Sequence, residues 1–368
     1  MRGRFDIAIV GAGMAGASLA AALGDRARVL LLEAEDRPGY HATGRSAAFW
    51  TESYGGPGVQ PLTTASGAFL EEHGFLSPRG ALTIARAGQE AELEAFAARF
   101  AALGVQVELL ARSALEAKIP GLKPGWTLGA FEPDCRDIDV AGLHQHYLAA
   151  ARRAGAELWC SARLSATGEE AEGWRLVLAD GREAACGILV NAAGAWADRV
   201  AEIAGVRPLG ITPLRRTIAQ LRVTQAVPAD LPLVLDLAES FYFKPEGGRL
   251  WLSPHDETPS EPCDAAPEDV DVATAIARLE EVTDWAVERV EHRWAGLRSF
   301  APDRLPVFGF DPVVKGYFWF AGQGGFGIQT APAAADLAAR LLLGDPGGAV
   351  DPTPYAPDRF SYVPTDLR

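Results

Sequence analysis

Residues 5–33 read FDIAIVGAGMAGASLAAALGDRARVLLLE, and the order of elements within this stretch decides the fold. Phe5 to Val10 is a β-branched run of strand length that stops at Gly11. Gly11, Gly13 and Gly16 follow at G-x-G-x-x-G spacing, and the small, apolar residues after them suit a helix packed tightly on a sheet. Gly11 permits a tight turn. Gly13, with Ala15 beside it, lets backbone approach a pyrophosphate, and Gly16 lets helix and strand lie close; the positive helix end then faces the phosphate charge. Arg28 to Leu32 reads as a second buried strand ending in Glu33, 22 residues past Gly11, where a carboxylate can accept hydrogen bonds from adenosine ribose hydroxyls. An acid there, rather than an arginine, disfavours a 2′-phosphate, which leaves FAD and NAD.

Working outward, the rest of the 368-residue chain breaks the nucleotide-binding pattern into pieces. An NAD enzyme usually completes a contiguous nucleotide domain before its catalytic domain starts. Here residues 56–138 hold a Glu- and Ala-rich helical stretch and short strand candidates. Helix and strand signals then return at Val140 to Ala154 and at 185–198. Residues 206–300 alternate apolar and polar positions with Pro and Gly punctuation, as antiparallel strands do. Trp251 to Pro267 reads as a Pro-, Ser- and acid-rich loop ahead of an amphipathic helix, and 315–344 adds strand, glycine turn and helix. The expectation is an α/β protein with two interleaved domains: a Rossmann-type FAD-binding domain from 1–60, 139–206 and 301–368, and an α+β substrate domain on an antiparallel sheet from 61–138 and 207–300.

Composition narrows the function classes. The chain is 48% hydrophobic and 22% charged, ordinary for a globular protein, and its net charge is −14, with 34 Lys and Arg against 48 Asp and Glu. A nucleic-acid partner would need a basic patch, so none is expected. Cys135, Cys160, Cys186 and Cys263 are scattered without metal-ligand spacing, and the expectation is unpaired thiols in a reducing compartment and no metal. No uncharged apolar run approaches the ~20 residues that span a bilayer, and the glycines after Val10 do not suit a signal peptide. A cytoplasmic location is expected.

GAGMAG with Glu33, GRSAA at 44–48, VNAAGAWAD at 190–198 and AGQGGFGIQT at 321–330 together resemble the D-amino-acid oxidase-like superfamily of FAD oxidoreductases over nearly the whole chain. GYHATGRSAA, AGVRPLG, ESFYFKP, WAGLRSF and QGGFGIQT are most similar to its D-arginine dehydrogenase branch. The resemblance implies FAD held by Gly44, Arg45, Ser46 and Ala47, by Ala193 and Gly194, and by Gly322, Gly324, Gly325, Gly327, Ile328 and Gln329. The donors of Arg45 and its neighbours suit a dianionic linker. Backbone N–H groups from Gly322 to Gly327, before an alanine-rich helix, suit the flavin edge whose negative charge grows on reduction. Sarcosine oxidase-like relatives carry a cysteine just after the arginine motif, where this chain has Ser299 and Phe300, so the FAD is expected to be non-covalent.

On the substrate side the resemblance points to Arg216 and Arg298 as carboxylate anchors, with Tyr54, Tyr242 and Gly325 beside the reacting centre. A planar guanidinium fork matches a carboxylate, and Arg215 stays open as a rival to Arg216. Two arginines in one pocket also lower the pKa of a substrate amine, supplying the lone pair that oxidation needs. Phe49, Trp50, Thr51 and Ala81 are expected to shape the pocket. Phe49 stands where the D-arginine branch has a histidine and Ala81 where it has a glutamate, so neutral D-amino acids are expected over cationic ones. The implied reaction moves a hydride from Cα to flavin N5, and the imino acid hydrolyses to a 2-oxo acid and ammonia. Oxidation of a 2-hydroxy acid, of glycine or of an N-methyl amino acid remains open, as does the electron acceptor, whether oxygen, a quinone or another carrier.

Overall fold

The computed structural model describes residues 3–170, 173–345 and 347–360, so the last residues of the third FAD-binding segment expected above lie outside the described residues. A first sheet of eight strands is built on the opening stretch. Gly3–Val10 pairs in parallel with Val29–Leu32 on one side and with Glu183–Asn191 on the other, and Tyr317–Ala321 adds in parallel to the latter. Alternate side chains enter opposite faces, as the strand period of two demands. Ile7, Ile9, Val29 and Leu31 join one core with Leu19, Phe318 and Leu337, whereas Ala8, Val10, Leu30 and Leu32 join another with Leu189, Tyr317 and Trp319. Burial on both faces explains why these strands read as unbroken apolar runs rather than alternating ones. Helix Met14–Leu23 packs against helices Val140–Arg153 and Ala331–Leu343, so segments from the start, middle and end of the chain meet on one face.

A second sheet, of ten strands, draws its members from Ala81–Arg86 through Gln323–Gly324. Its spine is the antiparallel pair Thr212–Val223 and Val287–Phe300, in which Arg216 faces Gly296 and Leu214 faces Arg298. That register puts Arg216 and Arg298 two residues apart on neighbouring strands and on the same face, a diagonal pair within side-chain reach. Arg215, one residue out of phase, projects from the other face and forms ion pairs with Glu268 and Asp271 at the start of helix Asp269–Val282. Cross-strand parity therefore separates the two arginines that sequence leaves open. Among the described residues no helix is long and apolar enough to cross a membrane.

Candidate active site

A cavity of about 390 Å³ runs from the glycine turn of the first sheet to the arginine-bearing face of the second. Its first end is made of backbone. Gly11 has φ +104°, and a Cβ there would lie 2.4 Å from the Ala192 oxygen; one on Gly16 would lie 1.9 Å from the Gly11 oxygen. No other residue type fits either position without moving the strand or the helix. Gly13 and Ala15 line the cavity, whereas Gly16 acts from behind by holding the helix close. Glu33 also lines it, with its carboxylate accepting hydrogen bonds from the N–H groups of Ala12 at 3.1 Å and Glu35 at 3.0 Å. Burial raises its pKa, and these two hydrogen bonds pull it back in part.

Ser46, Ala47, Ala193, Gly194, Gly324, Gly325, Gly327, Ile328 and Gln329 line the cavity as well. Gly44 and Gly322 do not. Arg45 lines it but differs from the expected donor. Its guanidinium is spent on the carbonyls of Tyr40, Ala265 and Ala295 and on the Asp264 carboxylate, so it ties residues 264–265 and the second sheet to the GRS turn instead of presenting a free charge to a pyrophosphate. Gln329 likewise turns its amide to the Tyr54 carbonyl at 3.1 Å and the Thr63 hydroxyl at 2.9 Å.

The other end is made of side chains. Arg216 is buried; its Nε donates to the Asp256 carbonyl at 2.8 Å, its Nη2 lies 3.5 Å from Glu257 Oε1, and its Nη1 has no hydrogen-bond partner. Arg298 donates to the Tyr54 hydroxyl at 2.7 Å and to Glu257 at 3.1 Å. A Cβ on Gly325 would fall 1.6 Å from Arg298 Nη2, so glycine is required there for the guanidinium to lie where it does. Burial, and then the neighbouring Arg216, lowers the Arg298 pKa, yet an arginine keeps its charge. Phe49, Tyr54 and Tyr242 close this end, with Phe49 edge-on to Tyr54 at 5.1 Å and to Tyr242 at 6.0 Å.

Three expected pocket residues sit elsewhere. Trp50 points away from Phe49, as strand parity requires, with its indole donating to the Thr63 carbonyl at 2.9 Å and its ring against Gly67. Thr51 is buried behind the wall, and Ala81 packs one layer back, in the cluster that includes Phe49 and Tyr242. Opposite Ala81 in the ladder stands Glu132, a buried carboxylate that takes the Glu52 N–H at 2.7 Å and the Ser53 hydroxyl at 2.5 Å and so fixes the turn beneath Tyr54. Nothing in its local sequence marks it, because its role follows from register alone. His255 was also missed. It has φ +53°, its ring packs on Tyr54 and Tyr242, and burial followed by Arg216 and Arg298 pushes its pKa down to about 2, so it is a neutral imidazole. Glu257 had a signal, the acid-rich loop, but not an address.

Residues 6–341 match the DAO family, described as FAD dependent oxidoreductase. The chain is 28% identical over 267 residues to the hydrogen cyanide synthase subunit HcnC of Pseudomonas aeruginosa, a match covering 71% of this chain and 62% of that protein. It is 30% identical over 261 residues to the glycine oxidase of the same organism, covering 66% and 65%. Among solved structures, glycine oxidase from Geobacillus kaustophilus superposes with a TM-score of 0.83 at 24% identity over 96% of this chain and 98% of that one. L-proline dehydrogenase from P. horikoshii gives 0.85 at 20% identity, with 98% of each chain covered. A glycine cradle whose added Cβ atoms would collide with backbone, an acid at the end of the second strand and a continuous cavity ending at two arginines fit FAD. The chain belongs to the DAO family of FAD-dependent oxidoreductases, and FAD is its cofactor.

Proposed function

We propose that the enzyme oxidises the C–N bond of a D-amino acid with a neutral side chain, using non-covalent FAD. The observation that carries this reading is the Arg216 Nη1 group, buried without a partner beside Arg298. An unpaired buried donor is costly, and an incoming carboxylate removes that cost while meeting a matched guanidinium fork. The bound FAD supplies the acceptor for the hydride leaving Cα. Arg216 and Arg298 hold the carboxylate, Tyr54 stays oriented by its bond from Arg298, and Phe49 and Tyr242 exclude water around the reacting carbon. The two positive charges favour the neutral amine, whose lone pair drives hydride loss, so no general base is needed, and His255, its pKa pushed down to about 2, is too weak a base to serve as one.

Side-chain preference follows from where the carboxylates are. Glu33 and Glu35 lie at the adenosine end, Glu132 is committed to the turn at Glu52 and Ser53, and Glu257 stands behind the arginines. None of these four is left to compensate a buried guanidinium or ammonium of the substrate. Oxidation of glycine or an N-methyl amino acid is the second reading, favoured by the similarity to a glycine oxidase. The test is anaerobic mixing with D- and L-amino acids, glycine, sarcosine and 2-hydroxy acids while flavin bleaching is followed. D-Leu, D-Met and D-Phe should reduce the flavin fastest. Faster reduction by glycine or sarcosine replaces the first reading with the second, and a higher kcat/KM for D-Arg than for D-Leu overturns the side-chain preference.

A further inference from the structure

The acid-rich loop after Trp251 was singled out by composition, yet neither the cofactor nor the carboxylate anchors account for it. In the fold, its acids meet arginines. Asp256 accepts the Thr217 N–H at 2.7 Å and lies 3.8 Å from Arg216. Glu257 Oε1 is 3.1 Å from Arg298, 3.5 Å from Arg216 and 2.8 Å from Arg304, and its Oε2 accepts from Arg304 at 2.9 Å. Arg216 and Arg298 line the cavity, but Glu257 and Arg304 do not. The Glu257 carboxylate therefore fills the rear of the guanidinium pair and leaves the cavity side to the substrate.

We propose that Glu257 is a specificity-determining residue: by filling the rear of the Arg216–Arg298 pair it leaves that pair one unit of positive charge, so the pocket takes monocarboxylates and rejects dicarboxylates. The charges add accordingly. Arg216, Arg298 and Arg304 contribute three positive charges, Asp256 and Glu257 two negative ones, and His255, neutral, adds none. One uncompensated charge remains, and on the cavity-lining pair it sits beside the orphaned donor at Arg216 Nη1. A substrate bearing a second carboxylate would bring a charge with no counter-charge into a buried site, which is unfavourable. Arg304 is half exposed and holds Glu257 by both carboxylate oxygens, so it keeps that acid pointed at the pair.

This inference rests on the carboxylate-binding reading above and deepens it. The experiment titrates the FAD-loaded enzyme with propionate and with succinate, reading the perturbation of the flavin spectrum, in the parent, Glu257→Gln, Arg304→Gln and Arg216→Met. Glu257→Gln keeps the shape and removes the charge; it should tighten succinate at least tenfold relative to propionate. Arg304→Gln removes a positive charge and should weaken both ligands threefold or more. If Glu257→Gln weakens both ligands equally, its role is structural and the inference is wrong, and an unchanged ratio also overturns it. Should Glu257→Gln fail to fold, unchanged binding by Arg304→Gln has the same force. Propionate binding that is absent from the parent, or indifferent to Arg216→Met, removes the carboxylate reading itself. Arg216-dependent propionate binding with an unchanged ratio in Glu257→Gln removes only the role of Glu257.

Discussion

At its glycine-turn end the cavity is walled mainly by backbone, and at its arginine end mainly by side chains. The first end comes largely from one continuous stretch, in which Gly11, Gly16 and Glu33 lie within 22 residues and each takes its place from its neighbours. The second gathers Arg216, Tyr242, Glu257 and Arg298 from the ten-stranded sheet and its loops, and Phe49 and Tyr54 from a separate three-stranded sheet and the turn after it. A site built of backbone tolerates no added atoms. A site built of charged side chains is governed by which charges are paired, so it can change specificity without changing shape.

The largest effect should come from breaking the backbone end. Gly16→Val places methyl groups where even a Cβ lies 1.9 Å from the Gly11 oxygen. Overpacking of this kind costs about 1–3 kcal/mol or more, and the purified variant should carry no flavin absorbance at the protein concentration at which the parent is yellow. A variant that retains stoichiometric FAD would show that the cradle can yield, and the contrast between the two ends would weaken.

The charged end should show itself through pH. His255 is depressed from 6.5 to about 2 by burial, then by Arg216 and Arg298, so on acidification the unfolded chain takes up a proton there and the folded chain does not. The stability contributed by the neutral ring is therefore present above pH 6.5 and lost as the pH falls below it, at about 1.4 kcal/mol per pH unit. Between pH 7 and pH 5, His255→Gln should lose about 2 kcal/mol less stability than the parent, as measured by urea unfolding at the two pH values. Equal losses would mean the ring is charged in the fold, and the count of one net positive charge would fail with it.

The smallest effect sharpens the boundary inside residues 49–50. Trp50→Phe loses one indole hydrogen bond, worth about 1 kcal/mol, and should change kcat/KM for the best substrate less than about twofold, because the ring faces Thr63 and Gly67. A larger kinetic change would return Trp50 to the pocket wall and with it the reading that adjacent aromatics share one role.

The fold class, the need for glycine at 11 and 16 and the place of Glu33 at the end of the next strand were legible in the sequence because they depend on local rules: a strand of β-branched residues, a turn where Cβ cannot fit, and a second strand beside the first. Arg216 and Arg298 were legible as residue types through family resemblance, since a guanidinium is the natural partner of a carboxylate. Local rules could not say which of Arg215 and Arg216 faces inward. Residue type and family resemblance also put Trp50, Thr51 and Ala81 on the pocket wall and offered the Arg45 donors to the cofactor.

Those outcomes depend on strand parity and on partners distant in the chain. Arg45 is saturated by Asp264 and Ala265, some 220 residues away, and Ala81 is screened by Phe49 and Tyr242. The sequence by itself determined which chemistry is available. Which charges remain unpaired, and therefore what the pocket can hold, was decided only when the second sheet set its register and carried Glu257 behind the arginines. Electrostatic compensation acts over a few ångströms of space, whatever the distance along the chain.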